Sequence, residues 1–61
     1  MKIVLKKVPE SQGRVEIVTI DGGTEKIPPS PSYGSQDEAI RAAAQYLGIM
    51  SDEFDEVAYD A

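Results

Sequence analysis

The densest group of residues able to do chemistry in this sequence is a set of carboxylates near its carboxyl end. Together with two aromatic residues they form one segment, whose members are Asp52, Glu53, Phe54, Asp55, Glu56 and Tyr59. Carboxylates at this density can bind a cation or a basic partner, and aromatic residues set among charges are typical of interface hot spots. The spacing lacks the turn glycine and the ligand order of an EF-hand, so we expect no calcium site.

Three interpretations of this segment remain open from the sequence. In the first, the six residues bind another protein, with Phe54 and Tyr59 as anchors among the charges. In the second, the carboxylates imitate nucleic-acid phosphates, as in a phage- or plasmid-type inhibitor of a DNA-binding protein. In the third, the charges only face solvent and Phe54 packs in the core.

Most catalytic chemistry lacks its usual residues here. The sequence contains no cysteine and no histidine, which removes thiol, imidazole and zinc-finger chemistry. The acids fall in segments that we expect to be exposed, and 61 residues leave little room for an enclosed pocket. We therefore predict a non-enzymatic protein with no catalytic, cofactor-binding or metal-binding residues.

The charge of the chain is unevenly distributed. The formal net charge is −5. Residues 1–14 hold four bases and one acid, whereas residues 15–61 hold two bases and ten acids. An acidic chain repels phosphate, which disfavours nucleic acid as a partner. No apolar run is long enough to cross a membrane, and the absence of cysteine is typical of a reducing compartment, so we expect a cytoplasmic protein.

Two segments near the amino end have the β-branched, partly alternating pattern of strands. They span residues 2–8 and 14–20. The Asp-Gly-Gly run at residues 21–23 predicts a tight hairpin turn, because these residues accept the positive φ that such turns need. A short third strand is predicted over residues 24–27. The prolines that follow, within residues 28–31, are expected to end the ladder because proline has no N–H to donate.

The helix has the clearest local signals. It is predicted over residues 36–47, with Ser35 as N-cap and Glu38 completing a capping box. Gly48 fits the left-handed position just after the helix. Its apolar stripe at helical spacing consists of Ala39, Ile40, Ala43, Tyr46 and Leu47.

These elements predict one small α+β domain over residues 1–61: an antiparallel β-meander with the helix packed on one face. The residues after the helix are expected to form a short helical turn and then an edge strand or an extended tail. One helix covers only one face of a sheet, so Val4, Val18 and Ile20 are expected to leave apolar surface that favours a homodimer. The predicted function is a protein-interaction or regulatory module that self-associates and docks another protein through its acidic segment.

Overall fold

The computed structural model describes residues 1–10 and 12–60, and it contains a three-stranded sheet with one helix packed on it. The elements in chain order are β1 (Lys2–Lys7), β2 (Val15–Ile20), α1 (Gln36–Leu47), a 3-10 turn (Ser51–Glu53) and β3 (Glu56–Tyr59). The predicted α+β class, the first two strands, the helix and the final turn followed by an edge strand are confirmed.

The sheet is mixed, with strand order β2-β1-β3. The strand β1 pairs with β2 in antiparallel fashion and with β3 in parallel fashion. In the parallel pair, Lys2 lies opposite Glu56 and Leu5 lies opposite Tyr59. The antiparallel meander predicted from the sequence is therefore corrected in one respect: the third strand comes from the carboxyl end and runs parallel to the first.

No strand forms over residues 24–27, which corrects the sequence prediction for that segment. The hairpin turn itself is present, since Asp21 and Gly22 both have positive φ and the backbones of Ile20 and Gly23 exchange two hydrogen bonds. A second turn follows at once, with the Ile27 N–H donating to the Thr24 carbonyl at 3.4 Å. This turn directs the chain away from β2 before the prolines begin, so no ladder develops.

A β-bulge decides which side of β2 faces the core. The register shifts between Val4 and Leu5, which leaves Val18 as the extra residue. Because a bulge reverses the side-chain alternation, Val15 and Ile20 are both buried. The expectation that Ile20 lies on the uncovered face of the sheet is therefore wrong.

The core lies between the sheet and one side of α1. Its buried members are Ile3, Leu5, Val15, Ile20, Tyr33, Ala39, Ala43, Ala44 and Phe54. The small alanine side chains let the helix approach the sheet closely, and each fully buried aliphatic side chain contributes about 1.5–3 kcal/mol. The opposite face of the sheet carries the half-buried residues Val4, Thr19 and Ala58.

Both ends of α1 are capped as the sequence predicts. The Glu38 N–H donates to the Ser35 Oγ at 3.2 Å, and the Glu38 carboxylate accepts from the Gly34 N–H at 3.0 Å. At the other end, Gly48 has a φ of 70°, and its N–H donates to the Ala44 carbonyl. These contacts satisfy backbone groups that a helix leaves unpaired at its ends.

The outer edge of β2 pairs at Val15 with the loop that precedes α1, and we call it the closed edge. The Val15 N–H donates to the Tyr33 carbonyl at 2.8 Å, and the Tyr33 N–H donates back at 2.7 Å. The Arg14 guanidinium donates to the Ser32 Oγ at 2.9 Å and to its carbonyl at 3.2 Å. The loop therefore occupies hydrogen-bonding positions that another strand would otherwise use.

Candidate functional site

The acidic segment, residues 51–60, leaves the end of α1 and returns beside β1. Its 3-10 turn closes when the Phe54 N–H donates to the Ser51 carbonyl at 3.2 Å. Phe54 is only 6% exposed and belongs to the core. This corrects the expectation that Phe54 is a surface anchor: its ring fixes the start of β3 and is not offered to a partner.

Asp55 is exposed but is held by the amino group of Met1. That amino group donates to the Asp55 carboxylate at 2.7 Å and to the Glu53 carbonyl at 2.7 Å. The hydrogen bond raises the pKa of the Met1 amine and lowers the pKa of the Asp55 carboxyl, and the attraction between the charges acts in the same direction. Asp55 therefore ties the acidic segment to the beginning of β1.

The remaining carboxylates of the segment differ in their partners. Glu56 forms an exposed ion pair with Lys2 at 3.5 Å, of a kind that contributes little to stability. Asp52, Glu53 and Asp60 are exposed and form no ion pair among the described residues. These three negative charges are consequently available to a partner without the loss of an internal salt bridge.

Tyr59 is the exposed aromatic residue of the segment. Its side chain is 43% exposed, and its hydroxyl donates to the Gln36 Oε1 at 2.9 Å, which ties β3 to the start of α1. The Lys7 Nζ lies 5.9 Å from the centre of the ring, within the range of a cation–π contact. An open groove beside the ring is lined by Lys6, Lys7, Tyr59 and Asp60.

The backbone of β3 presents a second set of binding groups. The Asp60 N–H donates to the Leu5 carbonyl at 2.8 Å, so the backbone groups of Asp60 face β1. Because backbone direction alternates along a strand, the N–H and C=O groups of Val57 and Tyr59 face away from the sheet. No strand among the described residues lies beyond β3, and we call this side of β3 the open edge.

The acidic segment presents groups that can bind another molecule. Within residues 1–10 and 12–60, no charged side chain is buried, and no group of three or more carboxylate, histidine or cysteine residues is placed to hold a metal ion. What the segment offers is unpaired carboxylates, a half-exposed ring and free backbone hydrogen-bonding groups. No helix in the described part of the chain is long and apolar enough to cross a membrane.

The structure adds contributors that the sequence did not single out. Met1 and Lys2 pair with two of the predicted acids, while Lys7 and Gln36 hold the Tyr59 ring. All four lie far from the acidic segment along the chain, so no local pattern marks them. The outward N–H and C=O groups of Val57 also belong to the site. Their direction follows from strand pairing, so the residue type at this position does not predict it.

Comparison with protein-family models, with curated proteins and with solved structures finds no match to this chain.

Proposed function

We propose that this chain is a non-enzymatic protein-interaction module that docks another protein through its acidic segment. One observation carries the proposal: three carboxylates without an ion pair among residues 1–10 and 12–60, the half-exposed Tyr59 ring and the open edge all lie in residues 51–60. Interfaces favour aromatic anchors surrounded by polar groups, and charge complementarity speeds and orients docking. A cytoplasmic setting is part of the proposal.

Neutralising two unpaired acids tests the proposal without disturbing the core. Asp52→Asn with Glu53→Gln removes two exposed charges from the acidic segment, and Glu10→Gln with Glu25→Gln removes two from exposed loops at either end of β2. A partner captured from the source cells is purified, and its Kd is measured by calorimetry for the native protein and both double variants. We expect the first pair to weaken binding about tenfold, since each exposed charge pair contributes up to about 1 kcal/mol, and the control pair to have little effect.

Equal Kd values for the three proteins would contradict the docking proposal. Truncation before Ser51 is unsuitable as a test, because it would remove Phe54 from the core and β3 from the sheet. A Tyr59→Ala variant supplies an independent check on the same surface, since the ring is partly exposed and lies outside the buried core. We expect this variant to weaken binding while the chain stays folded.

A second candidate function is an inhibitor that imitates nucleic-acid charge. The observation that favours it is that Asp52, Glu53 and Asp60 are exposed and form no ion pair with any residue that the structure describes. Such an inhibitor would compete with DNA for a basic partner, and its affinity would fall steeply as salt screens the charges. A partner whose binding to this chain is not competed by duplex DNA would rule out this candidate and leave the docking proposal in place.

Self-association is a further part of the proposal. The uncovered face of the sheet carries Val4 and Ala58, both half-buried within one copy of the chain. A two-fold dimer would cover this face on both copies. Light scattering during size-exclusion chromatography should give the mass of a dimer at high concentration, and a strict monomer would contradict this expectation.

A further inference from the structure

We propose that the open edge takes up an extended segment of the partner as a fourth strand, and that this segment carries basic residues at alternate positions. The inference rests on the docking function proposed above and specifies its binding mode and the chemistry of its partner. Strand addition to a sheet edge is a recurring mode of peptide recognition, in which backbone hydrogen bonds give affinity and alternate side chains give specificity.

The backbone of β3 is prepared for such an addition. The register with β1 and the Asp60 N–H bond to the Leu5 carbonyl fix β3 in place, and the burial of Phe54 fixes the residue just before it. The outward N–H and C=O groups of Val57 and Tyr59 are thereby held at the spacing of a strand. A partner strand can bond to them without any rearrangement of the sheet.

The side chains of the open edge specify the partner strand. Glu56 and Asp60 lie on the face of the sheet away from α1, together with Ala58. Lys2, which lies on the neighbouring strand β1, forms an ion pair with Glu56. Asp60 has no ion pair among the described residues. Because cross-strand neighbours of opposite charge stabilise a sheet, lysine or arginine fits the positions beside these two acids.

The other face of the open edge requires different residues. Val57 is half-buried against the core and Tyr59 is partly exposed. Neighbours of these two side chains on an added strand are best apolar or aromatic. The partner segment is therefore expected to alternate basic residues with β-branched or aromatic ones.

A second copy of this chain fits the open edge poorly. Antiparallel pairing of two β3 strands about Ala58 would set Glu56 of each copy opposite Asp60 of the other. Like charges directly opposite one another destabilise a pair of strands. Charges on an edge can also serve only to keep copies apart, and that role predicts no affinity for a basic strand.

A capped synthetic peptide of about eight residues, alternating lysine with valine, threonine or tyrosine, tests the proposal on the full chain. Two controls have matched chemistry: one peptide with the same composition but with its lysines grouped, and one with glutamate in place of lysine. Amide exchange followed by NMR reports on β3 directly. We expect the alternating peptide to slow exchange at Val57 and Tyr59 at least about tenfold, and both controls to bind more weakly.

Methylated peptides test whether the peptide backbone is used. In one version the backbone nitrogens of the lysines are methylated, and in the other the nitrogens of the residues between them. Only alternate N–H groups of an added strand face the sheet, so one version should lose at least about tenfold in affinity and the other should keep it. If methylation of the residues between the lysines weakens binding, the peptide adds antiparallel to β3. If methylation of the lysines weakens binding, the peptide adds parallel to β3.

Equal affinity of the two methylated peptides, or unchanged exchange at Val57 and Tyr59 with the alternating peptide at millimolar concentration, would overturn strand addition. The docking function is tested by a separate measurement, the Kd of the captured partner for the Asp52→Asn, Glu53→Gln variant. If that variant loses its partner while the peptides show no strand addition, the acidic segment docks a protein by another geometry.

Discussion

The two outer strands of the sheet lie in opposite surroundings. Along β2, the backbone of Tyr33 pairs with Val15, and the Arg14 side chain holds Ser32, so loop residues occupy the closed edge. Along β3, no strand of the described residues lies on the outer side, and the outward backbone groups of Val57 and Tyr59 point away from β1. The open edge carries the carboxylates of Glu56 and Asp60, and Lys6 and Lys7 line the groove beside Tyr59.

This difference does not come from the strands themselves. Both are short and contain β-branched or aromatic residues, so either could pair with a further strand. The loop before α1 pairs with one edge at Val15, whereas the other edge has no further strand among the described residues and carries the carboxylates of Glu56 and Asp60. Because an unpaired edge is a template for another strand, β3 is the edge at which the proposed partner segment would add.

The largest expected effect comes from removing the side chain that holds β3 against the core. Phe54→Ala should lower the free energy of unfolding by about 3–5 kcal/mol, because it deletes a buried ring. That loss is a large share of the stability of a small domain. Urea denaturation followed by circular dichroism measures it. The matched control is Tyr59→Ala, whose ring is 43% exposed and should cost far less; similar losses for both variants would contradict the assignment of Phe54 to the core.

Hydrogen exchange should separate the two edges directly. The amides of Val15 and Tyr33 are hydrogen-bonded across the closed edge, whereas those of Val57 and Tyr59 point away from β1, on the side where no described strand lies. We expect exchange at the latter two to be about a hundredfold faster. The Asp60 amide is an internal control, because it belongs to the acidic segment but donates to Leu5. Protection of Val57 and Tyr59 equal to that of Asp60 would show that the open edge is covered.

Removing one atom from the loop that pairs with β2 is expected to maintain or raise the stability of the protein. The Tyr33 hydroxyl is buried and has no hydrogen-bond partner among the described residues. Tyr33→Phe should therefore leave the free energy of unfolding unchanged or raise it by about 1 kcal/mol, because it removes an unsatisfied polar group. Thermal denaturation measures this change. A loss of stability beyond about 1 kcal/mol would indicate that the hydroxyl has a partner after all.

The smallest expected effect is the pH dependence of stability that comes from the Met1–Asp55 pair, which lies just before β3. The pKa of Asp55 is lowered, so its contribution to stability is present above the ordinary value of 3.8 and is lost as pH falls through the lowered pKa. The pKa of the Met1 amine is raised, so its contribution is present below the ordinary value of 8.0 and is lost as pH rises through the raised pKa. Both contributions are full between these two ordinary values.

Urea midpoints measured from well below pH 3.8 to well above pH 8.0 test the Met1–Asp55 pair. Asp55→Asn should flatten the dependence at both ends, and acetylation of the Met1 amine should do the same. Asp52→Asn is the matched control, because Asp52 is a nearby exposed acid without an ion pair among the described residues. A pH profile that is the same in Asp55→Asn and in Asp52→Asn would contradict the pair.

Part of the candidate site could be predicted from residue types alone. Asp52, Glu53, Asp55, Glu56 and Tyr59 are exposed in the structure, as a docking surface requires. The burial of Phe54 was one of the interpretations left open, and the sequence could not decide it because an aromatic residue among acids suits a core or an interface equally. The open edge left no sequence signal, since it consists of backbone groups that every residue carries.

The sequence by itself determined the features that depend on neighbours along the chain. The caps at Ser35 and Gly48 set the bounds of α1, and the Asp-Gly-Gly run at residues 21–23 set a hairpin turn, because each of these depends on a few adjacent backbone angles. Tertiary structure alone decided that β3 pairs with β1, that a bulge turns Ile20 into the core, and that a loop covers β2 while β3 stays open. These outcomes depend on contacts between segments far apart in the chain, where burial and strand pairing override local preference.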